Sequence, residues 1–454
     1  MALPAVPQVK VSRFTQAIEF YRRPLEFLDR CKREHGDFFV LWPPGFPSPV
    51  TFIGDPDAIK EIFAADGTDL IESGSIAAPM MESVIGKHSM LILDGAKHRR
   101  HRGLIMPFFA RAQFARFGDE ILRLVDERID TWPIGRQFPI RDETRRITLE
   151  VILRIIFGGI GLQTIDSALL RDFFSRTPSP LIFLRWLQKD LGPFSPWGRF
   201  LRLRDQLYGI ITAEMEQRRA QPAAADGDIL SALMEARDER GGAMETQEIL
   251  DEIFTLIGAG NDTTATALSW AIYHIWSDPD VLNRLRQELA PAANMESAAS
   301  FMVGLPYLEA TVKEVLRISP IFPLVLRRLN QPMQLGRYHL PAGSLVAPSI
   351  YLVHYRSDIW KNPERFNPDR FLDARYPSNH FLPFGGGVRH CIGAALATYE
   401  MKLILGRIVV RTELKLRSGY VPRPRWRVNF LGPSEDVPVT VLARTGTSET
   451  SAAI

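Results

Sequence analysis

Apolar positions recur at helical spacing over residues 11–35, which predicts helix there. The pattern then changes to two short strand-like runs, 38–42 and 50–54. The turn-rich stretch Pro43-Pro44-Gly45-Phe46-Pro47-Ser48-Pro49 joins them, so a hairpin is expected. Asp55-Pro56 reads as an N-cap followed by proline at the first helical position. Residues 68–95 show no clear period and are expected to be irregular. From about 98 to 320 the spacing is almost wholly helical. The main break is at 221–228, and a loop rich in proline and large apolar side chains at 177–198 would serve as a lid between two helices. Strand signals return at 333–349, 414–417, 427–431 and 437–442. No internal repeat or heptad array is visible. These elements predict an α+β, mainly α chain: a helical body with a smaller β-rich part formed by both chain ends. It is expected to be one domain over 1–454, with a core of about 14–444 and a frayed tail at 445–454.

Composition narrows this picture little. Of 454 residues, 46% are apolar and 24% charged, the balance of a globular chain, and the formal charge of +3 gives no reason to expect nucleic-acid binding. The two cysteines, Cys31 and Cys391, lie far apart in sequence and form no disulfide framework, so both are expected reduced. Cys31 falls in an amphipathic stretch and reads as structural. No apolar run near the amino terminus approaches the ~20 residues of a membrane span, and no signal-peptide pattern is present. The expectation is a cytoplasmic protein without a membrane anchor.

Chemistry concentrates at residues 381–393, Phe-Leu-Pro-Phe-Gly-Gly-Gly-Val-Arg-His-Cys-Ile-Gly, directly before a periodic helix at 394–411. Three consecutive glycines are costly in conformational entropy, so something must require them. They would let the backbone approach a flat ligand and turn N–H groups toward the sulfur. The following helix terminus would lower the thiol pKa further. A glycine-rich turn with an incidental cysteine is the plain alternative for such a pattern taken alone. Two other patterns call for comment. Glu314 and Arg317 stand at i and i+3 on one helix face and can pair. The apolar helix at 250–276 is interrupted by Ala259-Gly260-Asn261-Asp262-Thr263-Thr264, which opposes both propensity and burial. Threonines bonding back to the preceding turn would account for part of that.

The run Phe384-x-x-Gly387-x-Arg389-x-Cys391-x-Gly393 resembles the haem-binding signature of the cytochrome P450 family at every fixed position, and the resemblance extends over about 14–444. It implies a triangular, mostly helical fold. Haem b would lie between the long central helix and the helix after the cysteine loop, with the Cys391 thiolate on iron and Phe384 and Gly393 at the cofactor. Glu314-x-x-Arg317 resembles the family's Glu-x-x-Arg. Asn367-Pro368-Asp369-Arg370-Phe371 resembles the segment whose arginine, here Arg370, completes a buried Glu-Arg-Arg cluster. Breaking such a network would cost roughly 3–5 kcal/mol. In relatives, Ala259 and Gly260 correspond to a pair that leaves room for dioxygen, and Asp262 and Thr263 to an acid–alcohol pair that delivers protons. His98 stands where many relatives have tryptophan. With Arg102, Arg327 and Arg389 it would reach the haem propionates, and Arg328 is an alternative to Arg327. Lys97, Arg99 and Arg100 would face outward and suit an acidic electron donor.

The resemblance further implies a monooxygenase that activates dioxygen and hydroxylates or epoxidises a lipophilic small molecule of the fatty acid, terpenoid, steroid or polyketide class. Electrons would come from a ferredoxin or flavodoxin with its reductase, and the enzyme would act as a monomer. Candidate pocket walls are 76–91, 178–183, Phe254 and Ile257, the 321–325 segment with Phe322 and Leu324, and Phe430. The alternatives are a peroxide-driven or dioxygen-independent haem-thiolate enzyme, and a non-catalytic haem protein. The presence of both Asp262 and Thr263 favours dioxygen activation.

Overall fold

Ser12 opens the first helix, α1 (Arg13–Arg22), by accepting the Thr15 N–H at 3.1 Å. Pro24 then starts α2 (Pro24–His35), which ends at Gly36 with φ 84°. The computed structural model describes residues 4–46, 48–110, 115–164, 167–175, 188–192, 194–221, 227–295, 297–427 and 429–445, without the side chains of 160–164, 167, 168, 171, 175 and 294. β1 (Phe38–Leu41) and β2 (Val50–Ile53) form the expected antiparallel hairpin, with Phe38 opposite Ile53 and Leu41 opposite Val50. Asp55 caps α3 (Pro56–Ala65), accepting the Ala58 N–H at 2.8 Å.

The segment 68–95 is not irregular. It holds β3 (Ile71–Glu72) and a twelve-residue helix, α4 (Gly74–Ile85). Proline at 79 hides the helical signal. The cap does too, because it comes from a distance: the Asp94 carboxylate accepts the N–H groups of Ser73, Gly74 and Ser75 at 3.0, 2.9 and 2.7 Å. α5 (Gly95–Ile105) follows directly.

The helical body is built on two long helices, Ile140–Thr164 and Thr246–Ser277, packed against each other. Helix Ala394–Arg411 lies against the second of these. One large apolar core fills the space between them, and two smaller clusters lie under the β-rich part. Of the 177–198 loop, 177–187 and 193 lie outside the described residues, and Pro196 already begins the helix Pro196–Ala220. The break at 221–228 does separate two helices, although 222–226 are likewise not described.

The chain ends do not share a sheet. β1 and β2 extend into a five-stranded sheet, ordered β1-β2-β8-β5-β3, with β5 (Arg327–Leu329) and β8 (Leu345–Pro348). Between those two, β6 (Met333–Leu335) and β7 (Tyr338–Leu340) make a small hairpin. The late strands β9 (Thr412–Leu416) and β12 (Pro438–Arg444) pair instead with β4 (Gln137–Pro139) from the helical body. The run 427–431 is not one strand: the strands there are β10 (Pro424–Trp426) and β11 (Leu431–Pro433), and residues 427, 429 and 430 belong to neither. No helix among the described residues is long and apolar enough to cross a membrane.

Candidate active site

The cysteine loop folds on α3. Gly385 and Gly387 both have φ +68°, a conformation that favours glycine. A Cβ at Gly386 would overlap the Phe63 ring, and one at Gly387 would come within 2.6 Å of Asp66 Oδ2. Gly386 and Gly387 are therefore required by close packing against the chain itself, a reason not legible before α3 was placed, and Gly385 by its backbone conformation alone. The loop closes when the Cys391 N–H donates to the Phe384 carbonyl at 3.0 Å, and Gly393 then caps helix Ala394–Arg411.

Cys391 is reachable by solvent, yet protein surrounds its sulfur so closely that desolvation dominates and raises its pKa. A group that is both accessible and hemmed in lines an internal cleft. The Gly393 N–H, as the sequence led one to expect, and the Arg102 charge, which it did not foretell, act in the opposite direction, but burial outweighs them.

Three more candidates gather near this loop. His98, buried in α5, has its pKa pushed down to about 4, first by burial and then by Arg389 and Arg102. Its imidazole is thus neutral near pH 7. Arg102, one turn on, hydrogen-bonds to none of the described residues, and it is close enough to Cys391 for the two charges to interact. Arg327 is 4% exposed and its Nη2 donates to Asp66 Oδ2 at 2.9 Å and to the Gly386 carbonyl at 3.3 Å, while its Nε has no partner among the described residues. Arg328 points to the other face of β5 and pairs with Glu72 at 2.9 Å, so Arg327 is the one turned to the cysteine loop. Arg389 donates to the Met90 carbonyl at 2.8 Å, to the Leu93 carbonyl, and to Asp94 Oδ1 at 2.6 Å. Its grip on the chain, and Arg327's on Asp66, were not foreseen. An accessible thiol ringed by an unpartnered guanidinium and an orphaned guanidinium N–H suits a flat ligand carrying a soft metal and carboxylates.

Of the basic α5 residues expected to face outward, Lys97 is exposed and Arg99 reaches the Gly67 carbonyl at 3.0 Å. Arg100 does not face outward. It turns to the central helix, pairing with Glu248 at 2.9 Å and Asp238 at 2.8 Å.

The central helix is buried nearly all round, except where Gly258 and Ala259 are exposed. Gly258 was not singled out in the sequence, yet a Cβ there would meet nothing within 4 Å, whereas one at Gly260 would press on Ile152 at 3.2 Å. The open spot is therefore Gly258–Ala259, and Gly260 serves the packing of the two long helices. Thr263 Oγ1 donates back to the Ala259 carbonyl at 2.7 Å. Asp262 Oδ1 is held by Arg141 Nη2 and Arg145 Nε, both at 2.8 Å. Among the pocket candidates, Ile257 is fully buried, and Phe254 packs in an aromatic cluster with Phe173, Phe174 and Tyr208 at 5.5, 5.2 and 6.0 Å. Phe322 and Leu324 are half-buried, and the Phe322 ring lies 6.1 Å from buried Phe430. Residues 178–183 lie outside the described residues.

Glu314 and Arg317 pair as their spacing implied, and Arg370 joins them as the resemblance implied. Arg317 Nε and Nη2 donate to the two Glu314 oxygens at 2.7 and 2.8 Å, and Arg370 Nε donates to Oε1 at 3.0 Å. Sequence reasoning missed His354, which joins this cluster to the cysteine segment. Its Nδ1 meets the Arg317 carbonyl at 3.1 Å and its Nε2 accepts the Leu382 N–H at 3.0 Å. Its only signal was a histidine ending an apolar run, 350–354. Glu400 was also missed: it is fully enclosed in helix Ala394–Arg411, and burial pushes its pKa well up.

Comparison with known proteins shows the family and the fold. The family profile described as Cytochrome P450 matches residues 4–436. The chain is 36% identical over 456 residues to cytochrome P450 135B1 of Mycobacterium tuberculosis, covering 100% of this chain and 94% of that protein. It is 32% identical over 411 residues to cytochrome P450 135A1 of the same organism, covering 89% and 88%. Among solved structures, the retinoic acid bound cyanobacterial CYP120A1 superposes with a TM-score of 0.82 at 23% identity, covering 98% of this chain and 100% of that one.

Proposed function

Because the chain belongs to the cytochrome P450 family, monooxygenases that carry haem with a cysteine thiolate as axial ligand, we propose that Cys391 is that ligand and that Arg102, Arg327, Arg389 and His98 hold the haem carboxylates. The observation that carries this is the accessible but enclosed Cys391 sulfur with the Arg102 charge beside it, together with buried Arg327, whose Nε has no partner among the described residues. The bound haem supplies dioxygen activation, and the protein supplies ligand, positioning and protons.

The chain's own part follows from the groups described. The exposed Gly258–Ala259 spot gives a small reactant access to the central helix, and Thr263 beside it offers a hydroxyl. Asp262 carries protons inward from the Arg141–Arg145 side, and it must leave those arginines to do so. Asp262→Asn, which weakens that ion pair and removes the acid, should lower product formed per electron consumed. Unchanged coupling would remove Asp262 from the role. Phe322, Leu324 and Phe430 form an apolar wall suited to a lipophilic substrate of the fatty acid, terpenoid, steroid or polyketide class. Electrons come from a ferredoxin or flavodoxin with its reductase, and the enzyme works as a monomer of one domain.

A panel of such lipophilic compounds, screened for those that shift the Soret band of the haem-loaded protein, tests the substrate reading. Turnover of the binders with donor proteins and oxygen, compared with peroxide alone, tests the chemistry. Binding and product in the first arm are expected. Product only with peroxide would replace the reading with a peroxygenase.

A further inference from the structure

Glu252 lies on the central helix with no exposed surface. Its Oε1 accepts the Met90 N–H at 2.8 Å and faces His101 Nδ1 at 2.8 Å, and Oε2 has no partner among the described residues. His101, 3% exposed, presents its other ring nitrogen to Glu248 Oε1 at 3.2 Å. Each of these gaps between nitrogen and carboxylate needs a proton, so the trio holds one more proton than a neutral imidazole between two carboxylates. Arg100 adds a second cation on Glu248 at 2.9 Å. His101 compensates Glu252 only in part: burial is the larger effect and leaves its pKa raised.

The partly compensated carboxylate holds one end of a link that runs to the cysteine loop. The peptides of Met90 are gripped on both sides: the N–H by Glu252 and the carbonyl by Arg389 Nη1, both at 2.8 Å. The other terminal nitrogen of Arg389 is held by the Leu93 carbonyl and by Asp94. The position of Arg389, two residues before Cys391, thus depends on segment 90–94. That segment is tied to the central helix through Glu252.

We propose that Glu252 is a positioning residue for Arg389, setting through Met90 where the guanidinium stands at the cofactor's carboxylate edge. This rests on reading Arg389 as a haem-carboxylate cation. Reach, rather than charge, is the property the role requires. Glu252→Gln keeps an acceptor at the same distance from the Met90 N–H and loses the charge. Glu252→Asp keeps the charge and withdraws the acceptor by one methylene.

The test is the rate at which the ferric holoprotein loses haem to excess apomyoglobin. Removing the support behind a cofactor contact typically costs tenfold or more. Glu252→Asp should therefore speed haem loss about tenfold and Glu252→Gln by less than about threefold. In an Arg389→Ala background, Glu252→Asp should change the rate by less than about twofold, since the two act in series. The reverse order of Gln and Asp, or an Asp effect of the same size with and without Arg389, would overturn the proposal in favour of a charge or packing role. If Arg389→Ala alone leaves haem loss unchanged, the reading of Arg389 itself fails, and that result is distinct from either of the others.

Discussion

His354 makes the fold sensitive to acid by an amount that can be worked out. It is fully buried, its Nδ1–H is assigned by the Arg317 carbonyl and its Nε2 by the Leu382 N–H. Burial first, and the Arg317 charge second, hold its pKa down at about 3. A second proton would have to enter at Nε2 and break the bond to Leu382. In the unfolded chain the imidazole titrates at about 6.5. Between these two values the unfolded state binds the extra proton, so stability is full above about pH 6.5 and falls as pH drops. At pH 5.5 the unfolded state gains about 1.4 kcal/mol from this one group, against about 0.2 kcal/mol at pH 7. Glutamine offers an amide donor and a carbonyl acceptor at similar reach without a titration. Urea unfolding of wild type and His354→Gln at both pH values should show the wild type losing about 1.2 kcal/mol more than the variant on acidification. Half-buried His274, also held at about 3 by desolvation, titrates in both proteins and cancels. Parallel losses in the two proteins would refute the assignment of a neutral, doubly bonded His354.

Two further outcomes follow from packing. Gly386→Ala places a methyl into the Phe63 ring. It should cost about 1–3 kcal/mol as overpacking does, and Phe63→Leu in the same chain should recover part of the loss in a thermal melt. Glu314→Gln leaves two buried guanidiniums without their anion, a loss on the order of 3–5 kcal/mol. Little folded, coloured protein should accumulate, and wild-type yields would contradict the structural role.

What the sequence disclosed was what spacing alone determines. Glu314 and Arg317 are one helical turn apart, the cysteine signature is ten consecutive residues, and the hairpin of β1 and β2 is local. What it concealed was set by contacts between distant segments. Phe63 and Asp66 explain Gly386 and Gly387 from more than three hundred residues away. Asp94 both caps α4 and takes a charge from Arg389, so neither the helix nor the pairing shows in its own segment. Arg100 belongs to an apparently solvated basic run, yet it finds Glu248 on the central helix. The strand expected at 427–431 has the opposite origin: a signal of alternating side chains lies where the chain passes between β10 and β11.

The bond between the Cys391 sulfur and iron carries the whole account. The direct measurement is the absorption spectrum of the ferrous carbonyl complex of purified wild-type and Cys391→Ser protein. The wild type should give the strongly red-shifted Soret band of a thiolate-ligated haem, and the variant should lack it. A colourless wild-type protein from iron-replete cells, or a band at the position seen in histidine-ligated globins, would contradict it.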